Sequence, residues 1–195
     1  NMVVFIPAMG LHMAVSTLVG QRIGAREPGH AQQLTSGAML LAAIYFTITG
    51  ALYILLPEPM VRLFYSSADE STIPMETVLP LVSTLLIFVA AYSLFDAICL
   101  VLAGALKGAG DTKFVMILSF VISQVTLTIP CILIGMFSSR IEAKYGVLLC
   151  WTALTAYIMT ISVVYGLRYR NGAWMRMRVI EEDAGKPAAE ESPAM

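Results

Sequence analysis

The sequence predicts an all-α fold, a polytopic bundle of about five membrane-spanning helices. Hydrophobic residues make up 58% of the 195 positions and charged residues only 13%, and the mean hydropathy is +0.78. A soluble domain of this length would have too little interior to bury so much apolar surface. The apolar residues are also grouped into stretches long enough for a helix to cross a hydrocarbon layer of ~30 Å.

Five such stretches follow one another within residues 1–170, which we predict to be the transmembrane part. Polar or charged residues separate them, and the predicted spans are 2–20, 37–56, 80–106, 114–137 and 146–167. Pro57-Glu58-Pro59 predicts an abrupt end to the second helix, because proline lacks the helical N–H donor. Residues 60–79 mix acidic and apolar side chains, which is typical of a short amphipathic segment at the membrane interface. Residues 171–195 are the predicted cytoplasmic tail, and its stretch EEDAGKPAAEESPAM, acidic and rich in Ala and Pro, predicts disorder.

The basic residues predict the orientation of the bundle. If all five stretches span the membrane, nine Lys and Arg residues lie on one side and three, Arg62, Arg140 and Lys144, on the other. Because basic loops stay in the cytoplasm, we expect a multi-pass protein of the cell (inner) membrane with a cytoplasmic carboxy terminus. The chain opens directly in an apolar run with no basic residue before it. We therefore expect residues 1–20 to be most of a spanning helix whose upstream sequence is missing.

Asp96 is the candidate functional group of the predicted span 80–106. At ~1.5 Å per residue it lies ~24 Å from Pro80 and ~16 Å from Lys107, near the middle of the bilayer. An ionisable group costs at least ~2.5 kcal/mol at that depth. Tyr92 and Ser93 share its helical face, and the three polar groups together are able to bind a cation or a proton that a substrate displaces. The alternative is an aspartic acid that stays protonated and hydrogen-bonds a neighbouring helix.

Glycines recur at two helix ends. The first span is followed by Gly20-Gln-Arg-Ile-Gly24-Ala25 and the third ends in Gly104-Ala-Leu-Lys-Gly108-Ala109. Small residues four positions apart let helices approach closely. The pattern is also common in membrane helices, so coincidence is the alternative.

Other residues inside the spans have two interpretations each. Pro7 and Pro130 free a backbone carbonyl and can bend a helix at a binding cavity, but membrane helices also tolerate proline without such a use. Gln124 can line a cavity or bond another helix. His12 can relay protons, or donate to a backbone carbonyl.

The sequence offers no chemistry for an enzyme. It contains no Ser/His/Asp set, no P-loop and no HExxH motif, so we predict neither catalysis nor an organic cofactor. The three cysteines lie in apolar runs without metal-ligand spacing, which predicts no metal site beyond a possible Na⁺ at Asp96. No nucleic-acid partner is predicted, and lipids are the expected surroundings.

Two stretches resemble the multidrug and toxic compound extrusion (MATE) transporters. That family's eighth helix and following loop are similar to PAMGLHMAVSTLVGQRIGAREPGHAQQLT, which begins at Pro7. Its tenth helix and next loop are similar to LFDAICLVLAGALKGAGDTKFVM, which begins at Leu94. The two stretches occur in the family's order, and the five predicted spans match helices eight to twelve. The resemblance covers residues 3–170.

The resemblance implies a twelve-helix, two-lobe fold, of which this chain is the carboxy-terminal lobe without its first helix. The missing amino-terminal lobe is then a partner. The resemblance also implies export of cationic, amphipathic organic compounds in exchange for Na⁺ or H⁺ by alternating access. Asp96 and Tyr92 take the place of the residues that bind the coupling cation in the family. A Glu of the family's seventh helix completes that site and is not present in this sequence, so the ion stays open.

Within that frame, the polar and helix-bending residues are cavity candidates and the glycines are gate candidates. Tightly packed glycines would let the cytoplasmic ends of two related helices pivot as an inner gate. The cavity or gate candidates are Ser93, Gln124, Pro130, Gly20, Gly24, Gly104, Gly108 and Gly110.

Two other functions remain as alternatives. A flippase of the same broad superfamily, moving a lipid-linked oligosaccharide, would call for several Arg or Lys inside the helices, and the predicted spans show none. A non-transporting membrane fragment is distinguished by upstream sequence, because seven more helices with one mid-span Glu would restore the transporter.

Overall fold

The computed structural model describes residues 2–64, 75–137 and 143–176. In these residues every regular element is helical, which confirms the predicted all-α class. The elements are α1 (Met2–Gly24), α2 (Pro28–Leu55), α3 (Pro57–Phe64), α4 (Met75–Gly108), α5 (Thr112–Ser123), a π turn (Gln124–Thr128), α6 (Ile129–Met136), α7 (Ala143–Arg170) and a 3₁₀ turn (Ala173–Arg176).

Four stretches of the described residues are long and apolar enough to cross a membrane. They are Pro28–Leu55, Leu79–Gly108, Thr112–Met136 and Tyr145–Arg170, and they correspond to the last four predicted spans. The protein is therefore multi-pass. Helix α1 is not among the four. Its 23 residues extend over ~34 Å at ~1.5 Å per residue, and its membrane crossing stays a prediction.

The helices continue beyond the predicted apolar stretches. Helix α2 begins at Pro28 rather than at residue 37, because an apolar window locates the hydrocarbon-embedded part of a helix and not its end. Pro28 suits the first turn, where its missing N–H leaves no hydrogen bond unmade. The predicted stop at Pro57 is confirmed, since α2 ends at Leu55. Helix α3 includes the first residues of the predicted amphipathic segment, while residues 65–74 lie outside the described part.

Helix α4 is the central element, and α1, α2 and α7 all pack on it. Helix α1 runs parallel to α4, because successive contacts pair His12 with Gly104 and Gly20 with Gly108. One end of the bundle therefore gathers the carboxy ends of α1, α4 and α7 with the starts of α2 and α5. We call it the basic end; its basic residues include Arg22, Lys107, Lys113 and Arg168.

The first residues of the predicted tail, 171–176, belong to the described part of the chain and pack on α7. The chain turns at Gly172, and Trp174 is fully buried. Its ring stacks on Tyr169 with 4.8 Å between centroids, and its indole N–H donates to the Tyr169 carbonyl at 2.9 Å. The contact between Tyr169 and Trp174 thus holds the start of the tail against α7, although the residues that follow are polar. Residues 177–195 lie outside the described part.

Candidate functional site

Asp96 lies on a buried side of α4, where two apolar clusters meet. It is 8% exposed. Ala97 and Val101, which follow it, belong to the larger cluster toward the basic end, whereas Val89 and Tyr92, which precede it, belong to a smaller cluster. The carboxyl group thus lies between two apolar clusters, near the middle of the longest helix described.

The Asp96 carboxyl group has no protein partner among the described residues. Neither a hydrogen bond nor an ion pair to it occurs within 2–64, 75–137 and 143–176. The nearest basic residue on its own helix, Lys107, is ~16 Å away along the axis at ~1.5 Å per residue. A buried carboxyl group without a protein counter-ion is available to bind a proton or a cation.

Tyr92 and Ser93 are buried beside Asp96, but they contact different helices. Tyr92 stacks on Trp151 of α7, with 6.5 Å between ring centroids and 28° between planes. Ser93 faces α2, where its Oγ is 3.4 Å from the position that a Cβ on Gly50 would take. The Ser93 hydroxyl donates to the Ala90 carbonyl at 2.8 Å, so its oxygen keeps only acceptor capacity.

Helix α7 supplies neighbours of Asp96 that sequence reasoning missed. Tyr157 packs against both of the apolar clusters that meet at Asp96. The Ser162 hydroxyl donates to the Phe95 carbonyl at 2.6 Å and ties α7 to α4 next to the site. The apolar run of α7 carries no signal that shows which of its faces meets α4, so these contacts had no precursor in the sequence.

Gln124 and Pro130 belong to a π turn and the helix that follows it. The Ile129 N–H donates to the Gln124 carbonyl, five residues back. Proline offers no N–H at the next position, which favours the wider turn locally. This segment packs on α7, whereas Asp96 lies on α4. The predicted cavity role of Gln124 and Pro130 stays a prediction.

Three of the five predicted glycines form the contact between α1 and α4. A Cβ on Gly108 would overlap the Ser16 carbonyl, and a Cβ on Gly104 would lie 2.8 Å from the His12 carbonyl oxygen. A Cβ on Gly20 would lie 3.0 Å from the Gly108 carbonyl oxygen. The two glycine patterns therefore meet in space, and only residues without a Cβ allow backbones this close.

The other two glycines do not take part in this contact. A Cβ on Gly24 would meet nothing within 4 Å, so Gly24 takes no part in the contact between α1 and α4, and its gate role stays a prediction. Gly110 has φ +93° in the turn between α4 and α5, a conformation that favours glycine. It shapes the turn rather than a helix contact.

His12 makes the backbone contact that was one of its two interpretations. Its Nδ1 is 2.7 Å from the Leu100 carbonyl oxygen on α4. A carbonyl only accepts, so Nδ1 carries the proton and donates it. The ring thereby ties α1 to α4 one helical turn beyond Asp96.

A second buried carboxylate, Asp111, is fully partnered and shows the contrast. It is 5% exposed and accepts a hydrogen bond from Arg168 Nε at 2.8 Å. The Arg168 guanidinium also lies 4.5 Å from the Phe114 ring centroid. Asp111 therefore joins α7 to the turn between α4 and α5, which is a structural role.

The long apolar helices define a class of protein: a polytopic α-helical membrane protein. The chain belongs to the MatE family, whose model matches residues 1–134 and thus includes Asp96 and the α1–α4 contact. This is the family of NorM-like multidrug efflux transporters and not of enzymes, which confirms the resemblance found in the sequence.

Individual relatives are similar over much of the chain. The probable multidrug resistance protein NorM of Thermotoga maritima is 26% identical over 186 residues, which cover 93% of this chain and 36% of the relative. The probable multidrug resistance protein NorM of Pasteurella multocida is 30% identical, with 57% of this chain and 22% of the relative covered. The multidrug resistance protein PmpM of Pseudomonas aeruginosa is 31% identical, with 60% and 23% covered. The chain thus spans about a third or less of the length of these curated relatives, and no solved structure matches it.

Proposed function

We propose that the chain forms the carboxy-terminal part of a secondary active exporter, which exchanges cationic, amphipathic organic compounds for Na⁺ or H⁺ by alternating access. Asp96 is the group that binds the coupling cation, and Tyr92 lies beside it. The observation that carries the proposal is the burial of Asp96 in the middle of a span with no protein counter-ion among the described residues. The substrate class rests on the relatives, which are named multidrug resistance proteins.

The coupling follows from the electrostatics of an apolar interior. An ionised carboxylate there is stable only when a positive charge is close to it, because the surrounding medium provides little solvation. Na⁺, H⁺ or a cationic substrate each satisfies this requirement, and two of them at once would repel each other. Binding of one species therefore favours release of the other, which is the thermodynamic requirement of exchange.

The glycine contact at the basic end supports a position for the inner gate. The backbones of α1 and α4 are in direct contact at Gly20, Gly104 and Gly108. The two helices therefore move as one rigid unit. If the basic end is cytoplasmic, as the charge bias predicts, this contact lies on the inner side of Asp96. The amino-terminal lobe that the family resemblance implies would then supply the opposite wall of the cavity.

The test is efflux of a cationic dye from cells that express the full-length transporter containing this chain. Asp96→Asn is expected to reduce efflux to the level of cells without the transporter, and Asp96→Glu to retain part of it, because only the latter keeps a negative charge. Tyr92→Phe is expected to weaken ion dependence while leaving the ring stack on Trp151 in place. Thr84→Ala is the matched control, because Thr84 is an exposed hydroxyl residue on the same helix, and this variant is expected to retain efflux.

Each strain is measured in sodium and in sodium-free buffer at constant pH. Loss of efflux in sodium-free buffer identifies Na⁺ as the coupling ion, and dependence on an imposed pH gradient alone identifies H⁺. Equal efflux by wild type and Asp96→Asn in both buffers, with equal amounts of protein in the membrane, would contradict the proposal.

A further inference from the structure

A groove lies between α1 and α2 at the basic end, away from the α4 face that carries Asp96. Its volume is about 500 Å³. The side chains that line it are apolar along most of its length and polar at one end, and they include Leu11, Val15, Leu18, Leu34, Arg22 and His30. Leu18 and Arg22 are exposed, so the groove opens at the surface of the bundle.

The depth of the groove matches one leaflet of a bilayer. From Arg22 to Leu11 along α1 the distance is ~16 Å at ~1.5 Å per residue, and half of a ~30 Å hydrocarbon layer is ~15 Å. The polar end of the groove lies at the basic end of the bundle, where the hydrocarbon layer ends. The apolar part of the groove extends from there toward the bilayer centre. A lipid acyl chain fits such a groove in length and in chemistry.

The polar end offers positive charge and lies near the start of a helix. Arg22 and His30 flank the groove mouth, and Gln33 lies next to them as a neutral donor. Helix α2 starts at Pro28, two residues before His30, without a side-chain cap, so the positive end of its dipole lies near the mouth. This combination recognises a phosphate group.

Glu27 holds the two basic side chains at the mouth. The Arg22 Nη1 donates to Glu27 Oε2 at 2.8 Å, and His30 Nδ1 lies 3.1 Å from the same oxygen. The hydrogen bond from Arg22, followed by that from His30, keeps the pKa of the Glu27 carboxyl below its usual value. Glu27 is therefore ionised at neutral pH and competes with any other anion for the same two partners.

We propose that this groove binds one anionic phospholipid of the leaflet at the basic end, with its phosphate between Arg22, His30 and the start of α2 and one acyl chain along Leu18, Val15 and Leu11. The lipid phosphate replaces Glu27 as the partner of Arg22. The occupant is a lipid rather than a soluble phosphate because most of the groove is apolar and opens along the side of the bundle.

The experiment is native mass spectrometry of the purified, detergent-solubilised transporter, titrated with phosphatidylglycerol or with phosphatidylcholine. Wild type is expected to retain phosphatidylglycerol in preference to phosphatidylcholine. Arg22→Gln is expected to bind phosphatidylglycerol about fivefold more weakly, the factor for one basic residue at an anionic lipid surface. Arg22→Lys is expected to keep most of the binding, and Glu27→Gln to strengthen it by roughly the same factor. Glycerol phosphate at equal concentration is expected to displace nothing.

Two pairs of variants control for general effects. Arg62 and Glu58 form a similar exposed ion pair on α3, so Arg62→Gln and Glu58→Gln are expected to leave lipid binding unchanged. A side chain on Gly37 would enter open space at the groove, and one on Gly135 would enter open space on α6. Gly37→Leu is expected to reduce lipid retention, while Gly135→Leu has no effect.

The proposal fails if Arg22→Gln and Arg62→Gln change binding equally, or if phosphatidylcholine is retained as well as phosphatidylglycerol. It also fails if Gly37→Leu binds like wild type, since the acyl chain would then lie elsewhere. Displacement by glycerol phosphate would show a soluble anion site instead. None of these results depends on transport activity, so they are separate from the test of Asp96.

Discussion

The basic end and the opposite half of the bundle are packed very differently. At the basic end, Val19, Leu106 and Trp174 are fully buried in one continuous cluster that joins α1, α2, α4 and α7. In the opposite half, the cluster of buried residues consists of Val89, Tyr92 and Ile158, and the π turn and α6 contain no buried residue among those described.

This difference indicates which part of the bundle is fixed and which part is free to change its contacts. A densely packed end resists deformation, whereas a face with few protein neighbours is open to lipid or to other helices of the transporter. Asp96 lies at the boundary between the two. If Asp96 is the proposed cation site, changes in the contacts of the loosely packed half would reach it, while the densely packed half would hold it in place.

The largest expected effect comes from the two tryptophans of the chain, one in each half. Trp174→Ala removes a fully buried ring from the basic end and is expected to lower the free energy of unfolding by about 3–5 kcal/mol. Trp151→Ala removes a half-buried ring from the small cluster, and we expect about half of that loss. Urea or SDS titration in detergent micelles, followed by circular dichroism, measures both.

Equal losses of unfolding free energy for Trp174→Ala and Trp151→Ala would show that the two halves do not differ in packing. Trp174→Phe sharpens it, because phenylalanine keeps the ring stack on Tyr169 but lacks the indole N–H that donates to the Tyr169 carbonyl. The expected loss is about 1 kcal/mol for the hydrogen bond and about 1 kcal/mol more for the smaller ring in a fully buried position.

The tryptophans also show how much of the structure the sequence predicts. Long apolar runs predict the number of helices and the class of fold, because the bilayer imposes length and composition on every span. Trp174 falls just inside the predicted tail, and the composition of that tail does not reveal that its ring stacks on Tyr169. The ion pair of Asp111 with Arg168 was likewise missed, since the partners are far apart in sequence and each looks like an ordinary loop charge.

The residues of the candidate site likewise differ in whether the sequence predicts them. Asp96 was found because one carboxylate in an apolar run is a strong signal, and Tyr92 because of its spacing on the same helix. Its neighbours on α7, Tyr157 and Ser162, depend on the rotation of one apolar helix against another, for which the sequence carries no pattern. The glycine contact is intermediate, because the repeated pattern was visible but the pairing of Gly20 with Gly108 was not.

The next effect in size concerns the contact between α1 and α4. Gly108→Ala places a methyl group against the Ser16 backbone and is expected to cost about 1–3 kcal/mol, the usual range for overpacking. Gly135→Ala on α6 is the matched control, since its added methyl group meets nothing within 4 Å, and alanine favours helix. Thermal unfolding in detergent measures both variants.

A destabilised Gly135→Ala, or an unchanged Gly108→Ala, would show that the dense end does not depend on backbone contact. Gly108→Leu extends the same test to transport. If the contact forms the inner gate, the full-length transporter carrying Gly108→Leu is expected to lose dye efflux even when it reaches the membrane in normal amounts. Unchanged efflux would remove the gate from this position.

The smallest expected effect comes from comparing one ion pair in each half. Asp111 and Arg168 at the basic end have side chains only 6% and 25% exposed, whereas Glu58 and Arg62 on α3 are 52% and 68% exposed. A double-mutant cycle with Asp111→Asn and Arg168→Gln is expected to give a coupling of about 1–2 kcal/mol, below that of a fully buried pair because Arg168 retains some solvent. The cycle with Glu58→Gln and Arg62→Gln is expected to give about 0.5 kcal/mol or less.

The two ion pairs are also expected to differ in their response to ionic strength and to a change in the shape of the basic side chain. Raising the ionic strength to ~1 M shortens the screening length to ~3 Å, which is expected to abolish the coupling of the α3 pair and leave most of that at the basic end. Arg168→Lys keeps the charge but loses the Nε donor and the planar contact with Phe114, so it is expected to be less stable than wild type despite its unchanged charge. If Arg168→Lys equals wild type and salt weakens both pairs alike, Asp111 is held by general electrostatics alone. The dense packing of the basic end would then have to come from its apolar side chains and the glycine contact without help from this ion pair.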